Sequence, residues 1–225
     1  MKKIRIWDLP IRAFHWSLVV CITGSIISVN IGGNAIQWHA YFGYTILTLI
    51  IFRIVWGFVG STYARFSSFT ASPTRILQYL RGQAPRYLGH NPLGSLSIFA
   101  LMLSLSVQVT TGLFGDDEIA FQGPFAKYVS SSTIELLSSI HDINQYVIYG
   151  LIGLHVASIV YYFKFKNENL VMPMLLGDKE IDPSEVVHYA PSDLGQSSRD
   201  GGLQRGLALL LLSVIAVIVA YCVSA

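Results

Sequence analysis

Two histidines, His141 and His155, lie fourteen residues apart in one apolar stretch of the sequence. Because an α-helix turns once in about 3.6 residues, this interval places both imidazoles on nearly the same helical face. The rise between them is about 21 Å, roughly two-thirds of the apolar thickness of a bilayer. Ionisable groups inside membrane helices are costly and usually functional, and imidazole is a common metal ligand. The spacing therefore predicts two ligands at two depths of one membrane helix.

The composition predicts that an integral membrane protein positions these ligands. Of the 225 residues, 52% are apolar and only 12% are charged, whereas about 25% are charged in a soluble domain. We expect membrane helices in five apolar spans, at 13–31, 38–59, 93–114, 134–163 and 206–225. The basic N-terminus is similar to a signal peptide, but Asp8, Pro10 and Arg12 interrupt it. We therefore expect it to be retained as the start of the first helix.

The distribution of lysine and arginine predicts the orientation of these spans. The connection between spans three and four has a single Lys127 against Asp116, Asp117 and Glu118, and the connection between spans one and two is uncharged. Basic residues concentrate instead in the N-terminus, between spans two and three and after span four: Lys2, Lys3, Arg5, Arg12, Arg65, Arg75, Arg81, Arg86, Lys164 and Lys166. Since cytoplasmic connections are rich in these residues, we expect a cytoplasmic N-terminus and a C-terminus on the opposite side.

With this orientation, four histidines pair by their depth in the membrane. His39 begins the second span and His141 lies early in the fourth, so both are expected near the external side. His15 begins the first span and His155 lies late in the fourth, near the cytoplasmic side. Paired imidazoles from two helices suit the axial positions of a haem iron, which predicts two stacked centres. Glycines in the spans would allow close helix packing or make room for a porphyrin: Gly24, Gly43, Gly112, Gly150 and Gly153.

Two arginines are candidate partners of the haem propionates. Arg53 lies fourteen residues after His39, on nearly the same face and about 21 Å deeper, at the level of His15 and His155. A charged side chain within a membrane helix costs on the order of 3 kcal/mol, and a propionate would offset that cost as a bidentate partner. Arg53 would alternatively extend its side chain to the cytoplasmic interface. Arg12, one turn before His15, is the candidate for the other propionate.

Other interpretations of these residues stay open. A single histidine in a membrane helix would serve only as a hydrogen-bond link between helices. A zinc or copper site needs ligands that converge at one point, which two pairs about 21 Å apart do not provide. A proton relay would normally add Asp or Glu inside the spans. Because Cys21 and Cys222 form no C-x-x-C-H motif, covalent attachment of haem is excluded.

Several segments of the sequence resemble the bacterial cytochrome b561 family, which includes the cytochrome b subunits of nickel–iron hydrogenases and the gamma subunit of formate dehydrogenase. The segments are 6–16 (IWDLPIRAFHW), Trp38-His39 with Gly43, 53–60 (RIVWGFVG), 90–94 (HNPLG), His141 with His155, 169–174 and 177–179. The resemblance covers about residues 4–180. It implies an all-α integral membrane protein, in which a four-helix transmembrane bundle holds two haems. The span 206–225 departs from the simplest four-helix members of the family and is expected to form a fifth, C-terminal transmembrane helix.

The resemblance also implies cofactors, domains and a quinone site. We expect two non-covalent b-type haems, one bound by His15 and His155 and the other by His39 and His141. The expected domains are 1–180 for the di-haem four-helix domain, 181–205 for a cytoplasmic linker and 206–225 for the C-terminal transmembrane helix. Asn91 and Gly94, at the start of the third span, match positions that bind a quinone analogue in the formate dehydrogenase relative. Asn91 with Pro92 would alternatively serve only to begin the helix.

The function implied by the resemblance is electron transfer in the respiratory chain of the bacterial inner membrane. Electrons would pass between the quinone pool and a periplasmic c-type cytochrome or a dehydrogenase or hydrogenase subunit, with no nucleic-acid partner and a periplasmic C-terminus. One alternative is a stand-alone superoxide:quinone oxidoreductase, which needs a cationic external surface where only Lys127 is available. Another is a haem-binding membrane anchor of a larger complex. Whether the chain is itself an enzyme is left open.

Overall fold

The computed structural model describes residues 2–116, 121–182, 187–189 and 196–224. Its elements in chain order are β1 (Lys2–Arg5), α1 (Leu9–Ile31), α2 (Ile36–Val59), α3 (Pro73–Leu80), α4 (Pro92–Gly112), α5 (Ser131–Phe165), α6 (Val171–Leu176), β2 (Asp178–Ile181) and α7 (Gly202–Ser224). The acidic residues Asp117 and Glu118, parts of the linker 181–205, and Ala225 lie outside the described residues.

Five helices in the described part of the chain are long and apolar enough to cross a bilayer, namely α1, α2, α4, α5 and α7. This confirms the predicted membrane helices and their number. The first helix begins earlier than predicted, at Leu9, because Asp8 caps it: its Oδ1 accepts the Ile11 N–H at 2.8 Å. Asp8 and Pro10, which we interpreted as interruptions, are therefore the start signal of α1.

A small antiparallel sheet, not predicted from the sequence, joins the N-terminus to the segment after α6. Strand β1 pairs with β2 so that Lys2 lies opposite Ile181 and Arg5 lies opposite Asp178. The turn into β2 passes through Gly177, whose φ of 93° lies in the left-handed region. A side chain is strained in that conformation, and a Cβ there would lie 2.8 Å from the Trp7 carbonyl oxygen. Glycine therefore allows the close approach of these two chain segments.

The chain forms two compact units, each built from three separate segments. The first unit comprises Met1–Ala13, Ile54–Ala100 and Gly153–Ala208, and the second comprises Phe14–Arg53, Leu101–Ile152 and Leu209–Ala225. The division of the chain into 1–180, 181–205 and 206–225 stays a prediction.

Asp200 is the centre of a charged cluster in the first unit. Its carboxylate accepts hydrogen bonds from Arg5 Nη1 at 2.6 Å, Arg205 Nε at 3.0 Å and the Leu9 backbone N–H at 3.1 Å. The side chain of Asp200 is only 5% exposed. The segment just before α7 therefore binds the N-terminal strand and the first turn of α1, within the range predicted as a linker.

We expect Asp200→Asn to lower the free energy of unfolding by about 2 kcal/mol, since it removes the charge of a buried carboxylate that Arg5 and Arg205 both contact. Unfolding of the purified protein in urea measures this difference. The control is Glu180→Gln, which breaks a pair with Lys3 whose side chains are 51% and 69% exposed and which should cost less than about 0.5 kcal/mol. Equal losses in the two variants would contradict a structural role for the Asp200 cluster.

The contribution of Asp200 should also depend on pH. Burial raises the pKa of this carboxyl, but the hydrogen bonds from Arg205, the Leu9 amide and Arg5 outweigh burial and hold the pKa below its ordinary value. A lowered pKa in the folded state stabilises the protein above the carboxyl pKa of the unfolded chain, about 4. This stability is lost as pH falls through the folded-state pKa, so the difference between wild type and Asp200→Asn should shrink on acidification.

The apolar core of the second unit is formed by side chains of the membrane helices. Its buried members are Cys21 of α1, Ile46, Leu49 and Ile50 of α2, Leu105 and Val109 of α4, and Ile148 of α5. Leu212 of α7 packs against this core. Because lipid tails are as apolar as these residues, van der Waals packing rather than exclusion of water holds such helices together. The core fixes α2 and α5, the helices that carry His39 and His141.

Candidate metal centre

The second unit brings His39 of α2 and His141 of α5 together. Their ring centroids lie 6.2 Å apart and their planes differ by 76°. For two imidazoles on opposite sides of one metal ion, a metal–nitrogen bond of about 2 Å and about 1 Å from nitrogen to ring centre give a separation of about 6 Å. The observed separation therefore fits two axial ligands of one ion.

Hydrogen bonds select the same nitrogen of both rings as the ligand atom. His39 Nδ1 lies 3.1 Å from the Ser25 carbonyl oxygen, and His141 Nδ1 lies 3.0 Å from the Gln108 carbonyl oxygen. The hydroxyls of Ser25 and Thr111 add contacts to these nitrogens at 3.0 and 3.2 Å. Since a carbonyl can only accept, each Nδ1 carries the proton and each Nε2 keeps a lone pair for a metal.

Two glycines allow the helices to approach each other beside the paired histidines. A Cβ on Gly24 of α1 would lie 2.5 Å from the Phe42 ring, and one on Gly112 of α4 would lie 2.9 Å from the His141 ring. Glycine at these positions lets α1 pack on α2 and α4 pack on α5. The hydrogen bonds to both imidazoles depend on this close packing.

Open space adjoins the histidine pair. Gly43 lies one turn after His39 and on the same side of α2, and a Cβ there would meet nothing within 4 Å. In the described part of the chain, no three His, Cys, Asp or Glu side chains group as they would around a metal held by the protein alone. Two imidazoles 6.2 Å apart, with space at Gly43 one turn away, would fit a planar macrocycle that supplies the remaining ligands.

His15 and His155 lie in different units. His15 is half-buried on α1 in the second unit, with its ring 5.1 Å from the ring of Trp16. His155 is half-buried on α5 in the first unit, and its backbone carbonyl accepts a hydrogen bond from Ser158 at 2.7 Å. The pairing of these two imidazoles stays a prediction.

The two candidate arginines have different surroundings. Arg53, in the second unit, is only 4% exposed although it lies within a membrane helix. Arg12, in the first unit, donates from Nη1 to the Leu175 carbonyl at 2.7 Å, and its Nη2 lies 3.7 Å from Asp200. Protein groups thus hold the Arg12 guanidinium in place, and the binding of propionates by Arg12 and Arg53 stays a prediction.

Asn91 performs the helix-starting role considered for it, and it also contacts a pair of tyrosines. Its side-chain Oδ1 accepts the Gly94 N–H at 2.8 Å, which caps α4. Its Nδ2 donates to the Tyr162 hydroxyl at 2.7 Å, and that hydroxyl also bonds to the hydroxyl of Tyr79. Neither tyrosine was predicted as a site residue, although Tyr162 lies seven residues after His155, on the same face of α5. Quinone binding by Asn91 and Gly94 stays a prediction.

The sequence matches a known family over most of its length. The model of the family described as prokaryotic cytochrome b561 matches residues 6–177. This range contains His15, His39, His141 and His155 and ends before α7.

Three curated proteins similar to this chain are each called a probable Ni/Fe-hydrogenase B-type cytochrome subunit. The protein of Azotobacter chroococcum mcd 1 is 25% identical over 197 residues, which cover 75% of this chain and 82% of that protein. The protein of Rhodobacter capsulatus is 23% identical over 222 residues, covering 82% and 84% of the two chains. The protein of Cupriavidus necator is 24% identical over 200 residues, covering 76% and 82%.

Proposed function

Because the chain belongs to the prokaryotic cytochrome b561 family, we propose that it is a di-haem b-type cytochrome that carries electrons between the quinone pool and a redox partner. The observation that carries this proposal is the His39–His141 pair, with ring centres 6.2 Å apart and both Nδ1 atoms held by backbone carbonyls. Such a pair leaves both Nε2 atoms for one iron. Haem, when bound, supplies reversible one-electron chemistry.

The protein's own groups would bind and orient two haems. His39 and His141 would hold one haem, with Ser25, Gln108 and Thr111 fixing the two rings. His15 and His155 would hold the other. The fourteen-residue interval from His141 to His155 favours two levels on one helix face.

Charged groups would bind the propionates of the second haem. Arg53 would bind one propionate, and its burial at 4% exposure favours this role. Arg12 would bind the other. That contact requires Arg12 to reach a propionate while it holds Leu175 and Asp200.

A quinone would bind near the start of α4, beside Asn91 and Gly94. Asn91 is held at both ends of its carboxamide, by the Gly94 N–H and by Tyr162. One of the linked hydroxyls of Tyr162 and Tyr79 donates to the other, so the pair would leave one O–H donor for an oxygen of a quinone head group.

The redox partner would bind on the side of His39 and His141. The distribution of lysine and arginine favours a bacterial inner-membrane protein with a cytoplasmic N-terminus and a periplasmic C-terminus. Because similar proteins are called probable subunits of Ni/Fe hydrogenases, we favour a periplasmic hydrogenase subunit, with a c-type cytochrome or another dehydrogenase subunit as the alternative.

The purified wild-type protein is expected to contain two b-type haems per chain, since each histidine pair binds one. A reduced-minus-oxidised spectrum and a haem-to-protein ratio measure this number. Addition of a quinol should reduce the haems. A protein without a b-type band would contradict haem binding, and haems that quinols do not reduce would contradict the quinone assignment alone.

A further inference from the structure

A polar network joins α4 and α5 beside His141, and Gln108 is its first member. The Gln108 backbone carbonyl faces His141 Nδ1 at 3.0 Å. The Gln108 side chain donates from Nε2 to the His141 backbone carbonyl at 3.1 Å. One residue of α4 therefore holds both the ring and the backbone of His141.

Asn144, one turn after His141 on α5, fixes the side chain of Gln108. Its Nδ2 donates to Gln108 Oε1 at 2.7 Å and to the Ser104 carbonyl at 2.9 Å. Its Oδ1 accepts from the Ser104 hydroxyl at 2.9 Å. The orientation of both side-chain amides is thus determined, because each has a donor and an acceptor engaged.

Association of α4 with α5 explains the presence of these hydrogen bonds, but it does not explain why they converge on His141. A hydrogen bond between membrane helices contributes on the order of 0.6 kcal/mol, and adhesion does not require the bonds to converge on one residue. Here the Gln108 carbonyl, the Gln108 side chain and the Thr111 hydroxyl all contact His141, and Asn144 holds the Gln108 side chain. In the described part of the chain, Ser25 alone contacts His39 Nδ1. A network that holds both the ring and the backbone of one ligand restrains the rotation and position of its ring.

We propose that Gln108 and Asn144 are positioning residues that lock the His141 imidazole and thereby set the redox potential of the haem it binds. This inference rests on the proposed ligation by His39 and His141. A firm hydrogen bond from Nδ1 to the Gln108 carbonyl makes the imidazole a stronger electron donor, which favours ferric iron. Substitutions that remove the side-chain hydrogen bonds of Gln108 or Asn144 should weaken the bond from Nδ1 and so raise the redox potential of that haem.

The test is a redox titration of Gln108→Leu and Asn144→Leu in the full-length protein. We expect the reduction equilibrium of one haem to shift about tenfold toward the ferrous form, which is about 59 mV for one electron, while the other haem is unchanged. The affected haem is identified as the one that His39→Ala removes. The low-spin ferric EPR signal of that haem should also change, because it depends on the angle between the imidazole planes, 76° here.

Two further variants make the outcome decisive. Gln145→Leu removes the neighbouring amide, which bonds to the Asp142 carbonyl within α5, and should leave both potentials unchanged. Ser104→Ala removes one bond at the far end of the network and should give a smaller shift in the same direction. Unchanged potential and EPR signal in the leucine variants would overturn the inference. If those variants lose haem, an unchanged signal in Ser104→Ala would overturn it, whereas a wild type without haem would instead overturn the proposed function.

Discussion

His39→Ala and His141→Ala should each remove the same haem and leave the other in place. The ring centroids lie 6.2 Å apart, so either substitution would remove one of the two protein ligands of the proposed haem site. The expected haem-to-protein ratio falls from two to one in both variants, and the same component disappears from their redox titrations. The double variant should lose no more haem than either single variant, because the two residues act on one site.

His188→Ala is the matched control for these variants. His188 is exposed and lies outside the membrane helices, so its replacement should leave both haems bound. His15→Ala and His155→Ala should remove the other haem, which tests the pairing of two histidines that lie in different units. If His39→Ala and His141→Ala removed different haems, the paired centre described for the second unit would be wrong.

The membrane helices and candidate ligands could be predicted because a bilayer restricts which residues a segment that crosses it can contain. Its thickness requires about 20 apolar residues for each crossing, and this length alone identified α1, α2, α4, α5 and α7. Within such spans an ionisable residue costs free energy. His39 and His141 can therefore be recognised as candidate functional residues without any knowledge of tertiary contacts. Their predicted depths match, and in the second unit their ring centroids lie 6.2 Å apart.

The partners of those ligands could not be predicted, because they depend on which helix faces meet. Gln108 lies 33 residues before His141, and glutamine in a membrane helix has many possible partners. The close approach at Gly112, where a Cβ would lie 2.9 Å from the His141 ring, is what brings the Gln108 carbonyl within reach. The sequence shows the glycine but not the residue that packs against it.

The strand pairing and the polar contacts of the first unit could not be predicted from the sequence either, for a different reason. Strands β1 and β2 have four residues each, too few for an alternating pattern to be distinguished from a loop. The hydrogen bond between Arg5 and Asp200 spans 195 residues of chain, and no local signal marks either residue. Asp8 shows the opposite case: the helix-capping signal was present, but it was interpreted as an interruption of an apolar run.

Arg53→Gln should weaken retention of the haem that we propose for His15 and His155, and it should lower the redox potential of that haem. Arg53 is 4% exposed. If it pairs with a propionate, removing one partner of that buried ion pair costs about 3 kcal/mol, roughly a hundredfold in haem retention. The potential falls because a nearby cation favours the ferrous form, which carries one more electron. Loss of haem to an apo-protein acceptor, followed by absorbance, measures retention, and a redox titration measures the potential.

Arg65→Gln is the matched control, since Arg65 is exposed and follows the end of α2, and it should change neither quantity. The presence or absence of an effect of Arg53→Gln on the haem separates two roles of this arginine. If a propionate pairs with Arg53, the substitution leaves a buried anion, and haem binding must weaken. If Arg53 serves protein contacts alone, haem retention and potential stay at their wild-type values while the free energy of unfolding changes. A stability change without any change at the haem would therefore refute the propionate contact and leave the histidine ligands untouched.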